Sequence, residues 1–404
     1  MPMPSDALIV VLNCGSSSIK FAVFDAAAAP LPRVPLWNGK VQGIGGPSPD
    51  FGETGVAAHA VTLDPEHPHT AALGLILERI EARLAGRTVA AVVHRVVHGG
   101  GKYHAPTRVD AALIAELRDL IPLAPLHQPF PLKAMSLLLG RHPEVPQVAC
   151  FDTGFHHDLP AVEQMLPLPR EVGWDRGLRR YGFHGLSYEY MSHVLPERHG
   201  DLARGRTVVA HLGSGASLCA MRGLKSVATT MGFSALDGLM MGTRTGAIDP
   251  GAILYLMEIE KLSLEEVGHL LYHRSGLLGV SGISAEPRVL VRHEDDPGET
   301  GERARHALAL YVRRIVREIG ALVAVLGGLD LLVFTAGVGE HNDFIRERVC
   351  RDLAFLGIAL DADANAANVP VLSSAYSRVR VAVEPTNEEW VAACHAQRLL
   401  RFAS

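Results

Sequence analysis

The stretch Leu8-Ile-Val-Val-Leu-Asn-Cys-Gly-Ser-Ser-Ser-Ile-Lys-Phe-Ala-Val-Phe-Asp25 decides the fold of this chain. Its apolar start predicts a buried strand, and the alternation after Ser18 predicts a returning strand with two unlike faces. Gly15 and the hydroxyl residues after it form a small polar turn near the ammonium of Lys20, which suits a phosphate. An ordinary Gly/Ser hairpin turn is the alternative interpretation.

A second stretch, Thr207-Val-Val-Ala-His-Leu-Gly-Ser-Gly-Ala-Ser-Leu-Cys-Ala-Met221, repeats this plan of buried strand, small-residue turn and returning strand. Two such hairpins about half a chain apart predict two related domains, each presenting a phosphate-binding turn. Chance similarity between two Gly/Ser hairpins is the alternative.

Composition narrows the class of protein. A chain of 404 residues with 48% hydrophobic and 20% charged residues can form two domains with full cores. The formal charge of −5 gives no basic surface for nucleic acid or for an anionic membrane. Five scattered cysteines without a C-x-x-C pair, and an N-terminus without a charged segment followed by an apolar core, predict a cytoplasmic protein with no signal peptide.

The remaining chain alternates buried strands with helices. Strands are predicted at residues 89–97, 147–151, 330–335 and 379–383, and polar residues follow several of them. This is the pattern of an α/β protein with its site along the strand edges. Residues 275–284 are expected to form a glycine-punctuated loop, and residues 336–341 a Gly-x-Gly turn that can cradle a nucleotide.

Two arginines are expected in polar, glycine-flanked turns. Arg95 lies in His94-Arg-Val-Val-His-Gly-Gly100, and Arg244 lies in Met241-Gly-Thr-Arg-Thr-Gly246. Fixed cations suit phosphoryl transfer, which needs positioning, a divalent metal and positive charge around the transferred group. A surface ion pair is the alternative for each arginine.

Acidic and histidine residues supply further candidates. Asp152 and Glu388 are predicted to serve Mg²⁺ directly or through water, because magnesium prefers a few oxygen ligands. A helix cap is the alternative for both. His127, His184 and His211 are predicted at strand ends or in loops, although most histidines are structural.

Taken together, these motifs resemble the acetate kinases of the acetate and propionate kinase family, within the actin, Hsp70 and sugar kinase superfamily. The segments run in the family's order over nearly the whole chain. They are Asn13-Cys-Gly-Ser-Ser-Ser-Ile-Lys20, His94-Arg-Val-Val-His-Gly-Gly100, Ala124-Pro-Leu-His127, Phe151-Asp-Thr-Gly-Phe-His156, Arg180-Tyr-Gly-Phe-His-Gly185, His211-Leu-Gly-Ser-Gly215, Gly238-Leu-Met-Met-Gly-Thr-Arg244, Ala336-Gly-Val-Gly-Glu340 and Pro385-Thr-Asn-Glu-Glu389.

The resemblance implies an α/β fold with two duplicated ribonuclease H-like domains of the actin-like ATPase type around a central cleft. Residues 1–154 with 390–404 would form the carboxylate side, and residues 155–389 would bind nucleotide and form a homodimer. The implied reaction is reversible, in-line transfer of the γ-phosphoryl group of ATP to acetate, which gives acetyl phosphate and ADP. The implied cofactor is Mg²⁺, with Mn²⁺ as a substitute.

The resemblance also implies roles position by position. Asn13 and Glu388 would serve the metal, while Asp152, His184, Arg244 and Arg95 would be catalytic. Arg95 would also bind the substrate, with Val97, Leu126, His127, Phe183 and Ala235. ATP would contact Lys20, His211, Leu212, Gly213, Ser214, Gly215, Glu286, Pro287, Arg288, Gly337, Val338, Gly339, Glu340 and His341.

The family's label for Asp152, a proton donor or acceptor, conflicts with the chemistry. A carboxylate substrate with a pKa near ~4 is already ionised at neutral pH and needs no base. We therefore hypothesise that Asp152 orients an arginine or a magnesium-bound water.

Several positions depart from the family's pattern. Ser214 replaces the usual asparagine, Ala247 replaces an aspartate, and Glu286 and Pro287 leave the nucleotide preference open. Ala235 stands where proline is usual, so a propionate or butyrate kinase with the same mechanism is the nearest alternative. An actin-like or Hsp70-like ATP-binding switch is the alternative of a different class.

Overall fold

The structure is a computed structural model that describes residues 6–402. Residues 1–5, on which the expectation of no signal peptide rests, lie outside this range. The described chain divides into two units. The first contains the residues up to His157, Gly185–Tyr190 and the residues from Asn387 onward, and the second contains Asp158–His184 and Met191–Thr386. Within residues 6–402, no helix combines the length and the apolar character that a membrane span requires.

The strands of the described residues form two sheets. In chain order they are β1 (Ala7–Cys14), β2 (Ser18–Asp25), β3 (Trp37–Gln42), β4 (Asp50–Glu53), β5 (Val56–Ala60), β6 (Thr88–Val96), β7 (Thr107–Arg108), β8 (Gln147–Phe151), β9 (Arg206–Leu212), β10 (Ala216–Arg222), β11 (Lys225–Thr229), β12 (Leu331–Thr335) and β13 (Arg380–Val383).

The α-helices of the described residues lie between and after the strands. They are α1 (Pro68–Arg83), α2 (Ala111–Arg118), α3 (Pro129–Arg141), α4 (Ala161–Gln164), α5 (Gly185–His199), α6 (Pro250–Glu258), α7 (Leu264–His273), α8 (Gly276–Ser281), α9 (Pro287–His293), α10 (Glu299–Leu326), α11 (Ala336–His341), α12 (Asp343–Asp352), α13 (Ala362–Ala366) and α14 (Glu388–Phe402).

The first unit contains the sheet β5-β4-β3-β2-β1-β6-β8-β7. The predicted opening hairpin is confirmed: β1 and β2 are antiparallel, and Asn13 lies opposite Lys20. Because β1, β6 and β8 are parallel, their carboxyl ends meet at one edge of the sheet. The apolar side chains of β1 and β2 pack beneath α1 and α3 in the core of this unit.

The second unit contains the sheet β11-β10-β9-β12-β13. The predicted second hairpin is confirmed, with β9 and β10 antiparallel and β12 parallel to β9. In each unit, the first strand of a hairpin therefore pairs on its other side with a parallel strand. The two mixed sheets, one in each unit, confirm the predicted α/β fold with two duplicated domains.

Three local expectations were wrong. Residues 275–284 contain helix α8, and residues 336–341 form the short helix α11 rather than a turn. Gly276 marks a close approach of two segments, since a Cβ there would lie 2.2 Å from the carbonyl oxygen of Met241. Arg95 lies within strand β6, inside the strand predicted at residues 89–97, and not in the glycine turn that follows it, because Arg95 pairs with Cys150 of β8.

Candidate active site

Arg95 and Asp152 form a side-on ion pair at the carboxyl edge of the first sheet. Strands β6 and β8 are neighbours, and the backbone N–H of Asp152 continues their pairing by donating to the Val96 carbonyl at 2.9 Å. Nε of Arg95 lies 3.0 and 3.1 Å from the two carboxylate oxygens of Asp152, and Nη2 lies 2.7 Å from Oδ2. Asp152 is buried, so it fixes the plane of the guanidinium.

Glu388 contacts the opposite side of the same guanidinium. It is the first residue of α14, and Asn387 caps that helix by accepting from the Trp390 N–H at 3.0 Å. Glu388 Oε2 lies 2.6 Å from Arg95 Nη1. The two carboxylates therefore hold Arg95 between a strand end and a helix N-terminus.

Burial and the nearby charge of Asp152 raise the pKa of Glu388 to about 7, although Arg95 opposes the shift. Burial by itself lowers the pKa of Arg95, but Asp152 and Glu388 together raise it above the ordinary arginine value. The cluster thus holds a permanent cation beside one carboxylate that is only partly ionised at neutral pH.

The predicted metal residues offer suitable donors. Asn13 lies near the carboxyl end of β1, and Glu388 is buried beside Arg95 and Asp152. Burial, together with the charge of Asp152, disfavours the ionised form of Glu388, and a bound divalent cation would stabilise that form. Within residues 6–402, no group of three or more His, Cys, Asp or Glu side chains forms a metal cluster. An amide oxygen and a carboxylate, with waters and phosphates, nevertheless suit Mg²⁺.

Gln128 links the two loops that carry the predicted acyl pocket. Its amide oxygen accepts from the His98 N–H at 3.2 Å, and its amide nitrogen donates to the His98 carbonyl at 2.9 Å. Val97 precedes His98, and Leu126 and His127 precede Gln128. Sequence reasoning missed Gln128, because a buried glutamine with both ends bonded has no local signature.

In the second unit, His184 lies against the hairpin turn between β9 and β10. Its ring stacks on His211 with centroids 4.1 Å apart, and its Nδ1 lies 2.8 Å from the Ser217 hydroxyl. Ser217 lies opposite His211 in the register of the hairpin, so both face the same side. Sequence reasoning missed Ser217, although this cross-strand position was available as a signal.

Arg244 and His184 converge on Gly215. A Cβ built on Gly215 would lie 3.0 Å from Nε2 of His184 and 3.4 Å from Nη2 of Arg244. Arg244 Nη1 donates to the carbonyl of Ala235 at 2.8 Å. No carboxylate of the described residues lies within ion-pair distance of Arg244, and burial lowers the pKa of its guanidinium. A cation without a carboxylate partner, beside a glycine turn, fits an anionic ligand.

The two segments predicted to flank the nucleoside lie together. Arg288 Nη2 donates to the His341 carbonyl at 2.7 Å, and its Nε donates to Asn342 Oδ1 at 3.3 Å. Glu340 Oε1 accepts from the Ala336 N–H at 2.8 Å and from the Thr386 N–H at 3.2 Å. The side chains of Arg288 and Glu340 therefore shape this region through contacts within the protein.

The other predicted residues differ in exposure. Lys20, Ser214, Glu286, Gly337 and His341 are exposed, and Gly213 is partly buried. The buried residues of the set are Phe183, Leu212, Ala235, Pro287, Val338 and Gly339. The structure thus groups Arg95 with Asp152 and Glu388, His184 with Gly215 and Arg244, and Arg288 with His341.

Comparison with known proteins gives consistent matches. Residues 8–394 match the Acetokinase family. The chain is 48% identical to the acetate kinase of Rhodopseudomonas palustris over 401 residues, which cover 98% of each chain. It is similar to the crystal structure of Porphyromonas gingivalis acetate kinase, with 36% identity and a TM-score of 0.84 over 98% of this chain and 100% of that one. It is also similar to a propionate kinase from Francisella tularensis, with 31% identity and a TM-score of 0.87 over 96% and 98%.

Proposed function

This chain belongs to the Acetokinase family, and we propose that it phosphorylates acetate with ATP, reversibly, to form acetyl phosphate and ADP. The observation that carries the proposal is the convergence of His184 and Arg244 on Gly215, in a turn of the kind that binds phosphate. Phosphoryl transfer places charge on the equatorial oxygens of the transferred group, and fixed donors stabilise that charge.

Arg95 is the proposed ligand of the acetate carboxylate. A guanidinium has five N–H donors, and three nitrogens each already donate to Asp152 or Glu388. One N–H on each terminal nitrogen remains, which is the number that a carboxylate can accept as a pair. Because acetate is already ionised, no base is required, and Asp152 is assigned the task of orienting Arg95.

We assign Mg²⁺, or Mn²⁺ in its place, to Asn13 and Glu388. When bound, the ion supplies positive charge that balances the ATP phosphates. Lys20 and residues His211–Gly215 are assigned to the phosphates, while Glu286–Arg288 and Gly337–His341 are assigned to the nucleoside. The first unit would thus carry the carboxylate side, and the second unit the nucleotide.

We also propose that the protein is a homodimer that uses helix α6. No residue of this apolar helix is buried: Leu254 and Tyr255 are 63% and 53% exposed, and Ile259, which directly follows the helix, is 58% exposed. Apolar patches of this kind mark interaction surfaces. Light scattering after size-exclusion chromatography tests the homodimer. The wild type should have the mass of two chains, and the double variant Leu254→Glu/Ile259→Glu should have the mass of one chain.

A hydroxamate assay with ATP, Mg²⁺ and acetate tests the activity. We expect acyl phosphate from the wild type and a loss of kcat of at least about 10³-fold in Arg244→Ala, as for other arginines that stabilise phosphoryl transfer. His306→Gln, on the exposed side of α10, is the matched control. If ATP binds but no short acid yields acyl phosphate, the ATP-binding switch is the better assignment.

A further inference from the structure

Two histidines lie one turn apart on the exposed side of helix α7. His269 and His273 have ring centroids 5.1 Å apart and an interplanar angle of 36°. The buried residues of this helix are Val267 and Leu271. His269 follows Val267 by two residues, and His273 follows Leu271 by two residues. Two residues correspond to a rotation of about 200° around the helix axis. The pair therefore faces away from the core of its unit.

The spacing suits a shared metal ion. Residues at i and i+4 are neighbours on a helix surface, and imidazole nitrogen binds Zn²⁺ at about 2.0–2.1 Å. Two imidazoles on one tetrahedral ion have ring centroids roughly 5 Å apart by that geometry. Neither His269 nor His273 makes a side-chain hydrogen bond or an ion pair with another residue of the described range. Both rings are therefore available to a ligand.

The turn between these histidines anchors the loop that carries Arg244. The carbonyl of Leu271 accepts from the Thr245 N–H at 3.1 Å. The carbonyl of Tyr272 accepts from the Thr243 hydroxyl at 2.9 Å. Carbonyls in the last turn of a helix have no hydrogen-bond donor within the helix. The Leu271 and Tyr272 carbonyls can therefore accept from Thr245 and Thr243, which lie on either side of Arg244.

We propose that His269 and His273 bind one divalent transition-metal ion of the Zn²⁺ class, and that the ion crosslinks the turn that anchors the Arg244 loop. Water completes the coordination, because no group of three metal-binding side chains exists in the described chain. A ligand that binds only the closed turn disfavours its local opening. Zn²⁺ therefore reduces the opening of the Thr243 and Thr245 contacts.

Equilibrium dialysis of Zn²⁺ with the full chain, without nucleotide, tests the site. We expect one Zn²⁺ per chain, and an affinity at least about tenfold lower in His269→Gln and in His273→Gln, since each removes one of two protein ligands. His306→Gln removes an exposed histidine of α10 and should bind as the wild type does. Equal Zn²⁺ affinity in the wild type and both single variants would overturn the site.

Amide hydrogen exchange tests the coupling. Saturating Zn²⁺ should slow exchange at Thr245 and Ser275 in the wild type and in His306→Gln, and EDTA should reverse the effect. Ser275 is included because its N–H donates to the Thr243 carbonyl at 3.0 Å. Unchanged exchange at both amides with the ion bound would overturn the crosslink. Neither measurement depends on the acetate kinase assignment.

Discussion

Asp152 binds Arg95 along the side of the guanidinium, with Nε 3.0 Å from Oδ1 and Nη2 2.7 Å from Oδ2. This is the contact that the orienting hypothesis for Asp152 requires. The neighbouring group with a pKa near neutrality is Glu388, whose pKa burial and Asp152 raise to about 7. The two carboxylates can therefore be separated by their effects on the pH dependence of the reaction.

The first prediction concerns the pH–rate profile. The profile of kcat/KM between pH 5 and 9 should show an ionisation near neutrality that belongs to Glu388. Asp152→Asn removes a negative charge that raises the pKa of Glu388, so the ionisation should move to lower pH. Glu388→Gln, assayed at high Mg²⁺, should abolish it. If Asp152→Asn abolishes the ionisation and Glu388→Gln leaves it in place, Asp152 acts as a base.

The second prediction concerns stability. The pKa of Glu388 rises from 4.5 to about 7 on folding, so the folded protein holds this proton more tightly than the unfolded chain. The contribution of this group to the free energy of unfolding should therefore fall as pH rises from about 4.5 to about 7, by roughly 3 kcal/mol.

Urea denaturation of the wild type and of Glu388→Gln at several pH values checks this pH dependence of the free energy of unfolding. The variant should gain stability relative to the wild type as pH rises through that window, and the difference should be constant above it. A difference that does not change with pH would contradict the assignment.

The third prediction concerns Gly215. In Gly215→Ala, the new methyl group would lie 3.0 Å from His184 Nε2, so His184 must shift by a few tenths of an ångström, and the methyl group would contact Arg244 Nη2 at 3.4 Å. We expect kcat to fall about 10–100-fold, since small displacements of catalytic groups have effects of this size. Gly320→Ala is the control, because its methyl group meets no atom within 4 Å. Steady-state kinetics measures kcat, and Tm checks that both variants fold. If Gly215→Ala kept full kcat, the close approach of His184 and Arg244 to Gly215 would not matter for catalysis.

The fourth prediction concerns substrate size. Ala235 is buried, and the family resemblance assigns it to the acyl pocket, so we expect a small residue there to leave room for a longer acid. Propionate should therefore be used with a kcat/KM within a hundredfold of that for acetate. Ala235→Val should lower the propionate value about 10–100-fold relative to acetate, at ~1–3 kcal/mol per methylene. The contact to Arg244 uses the carbonyl of Ala235, so acetate turnover should be retained. A wild-type preference for acetate above a hundredfold would exclude the roomier pocket.

By itself, the sequence determined the elements whose causes are local. The two hairpins follow from alternating apolar residues around short Gly/Ser turns, and both are present. Ser263 and Glu266 likewise form a capping box at the start of α7, because the motif needs only two residues three positions apart. These features depend on sterics and hydrogen bonds between residues a few positions apart, so a short window of sequence contains their cause.

Tertiary structure alone decided the geometry of the candidate site. Arg95 and Asp152 are 57 residues apart and meet because β6 and β8 are parallel neighbours, while Glu388 reaches Arg95 from the start of α14. His184 and Arg244 approach Gly215 closely because the β9–β10 turn lies against both side chains. Such contacts depend on strand register and helix packing between distant segments. No local pattern encodes them, and so the sequence named the residues but not their partners.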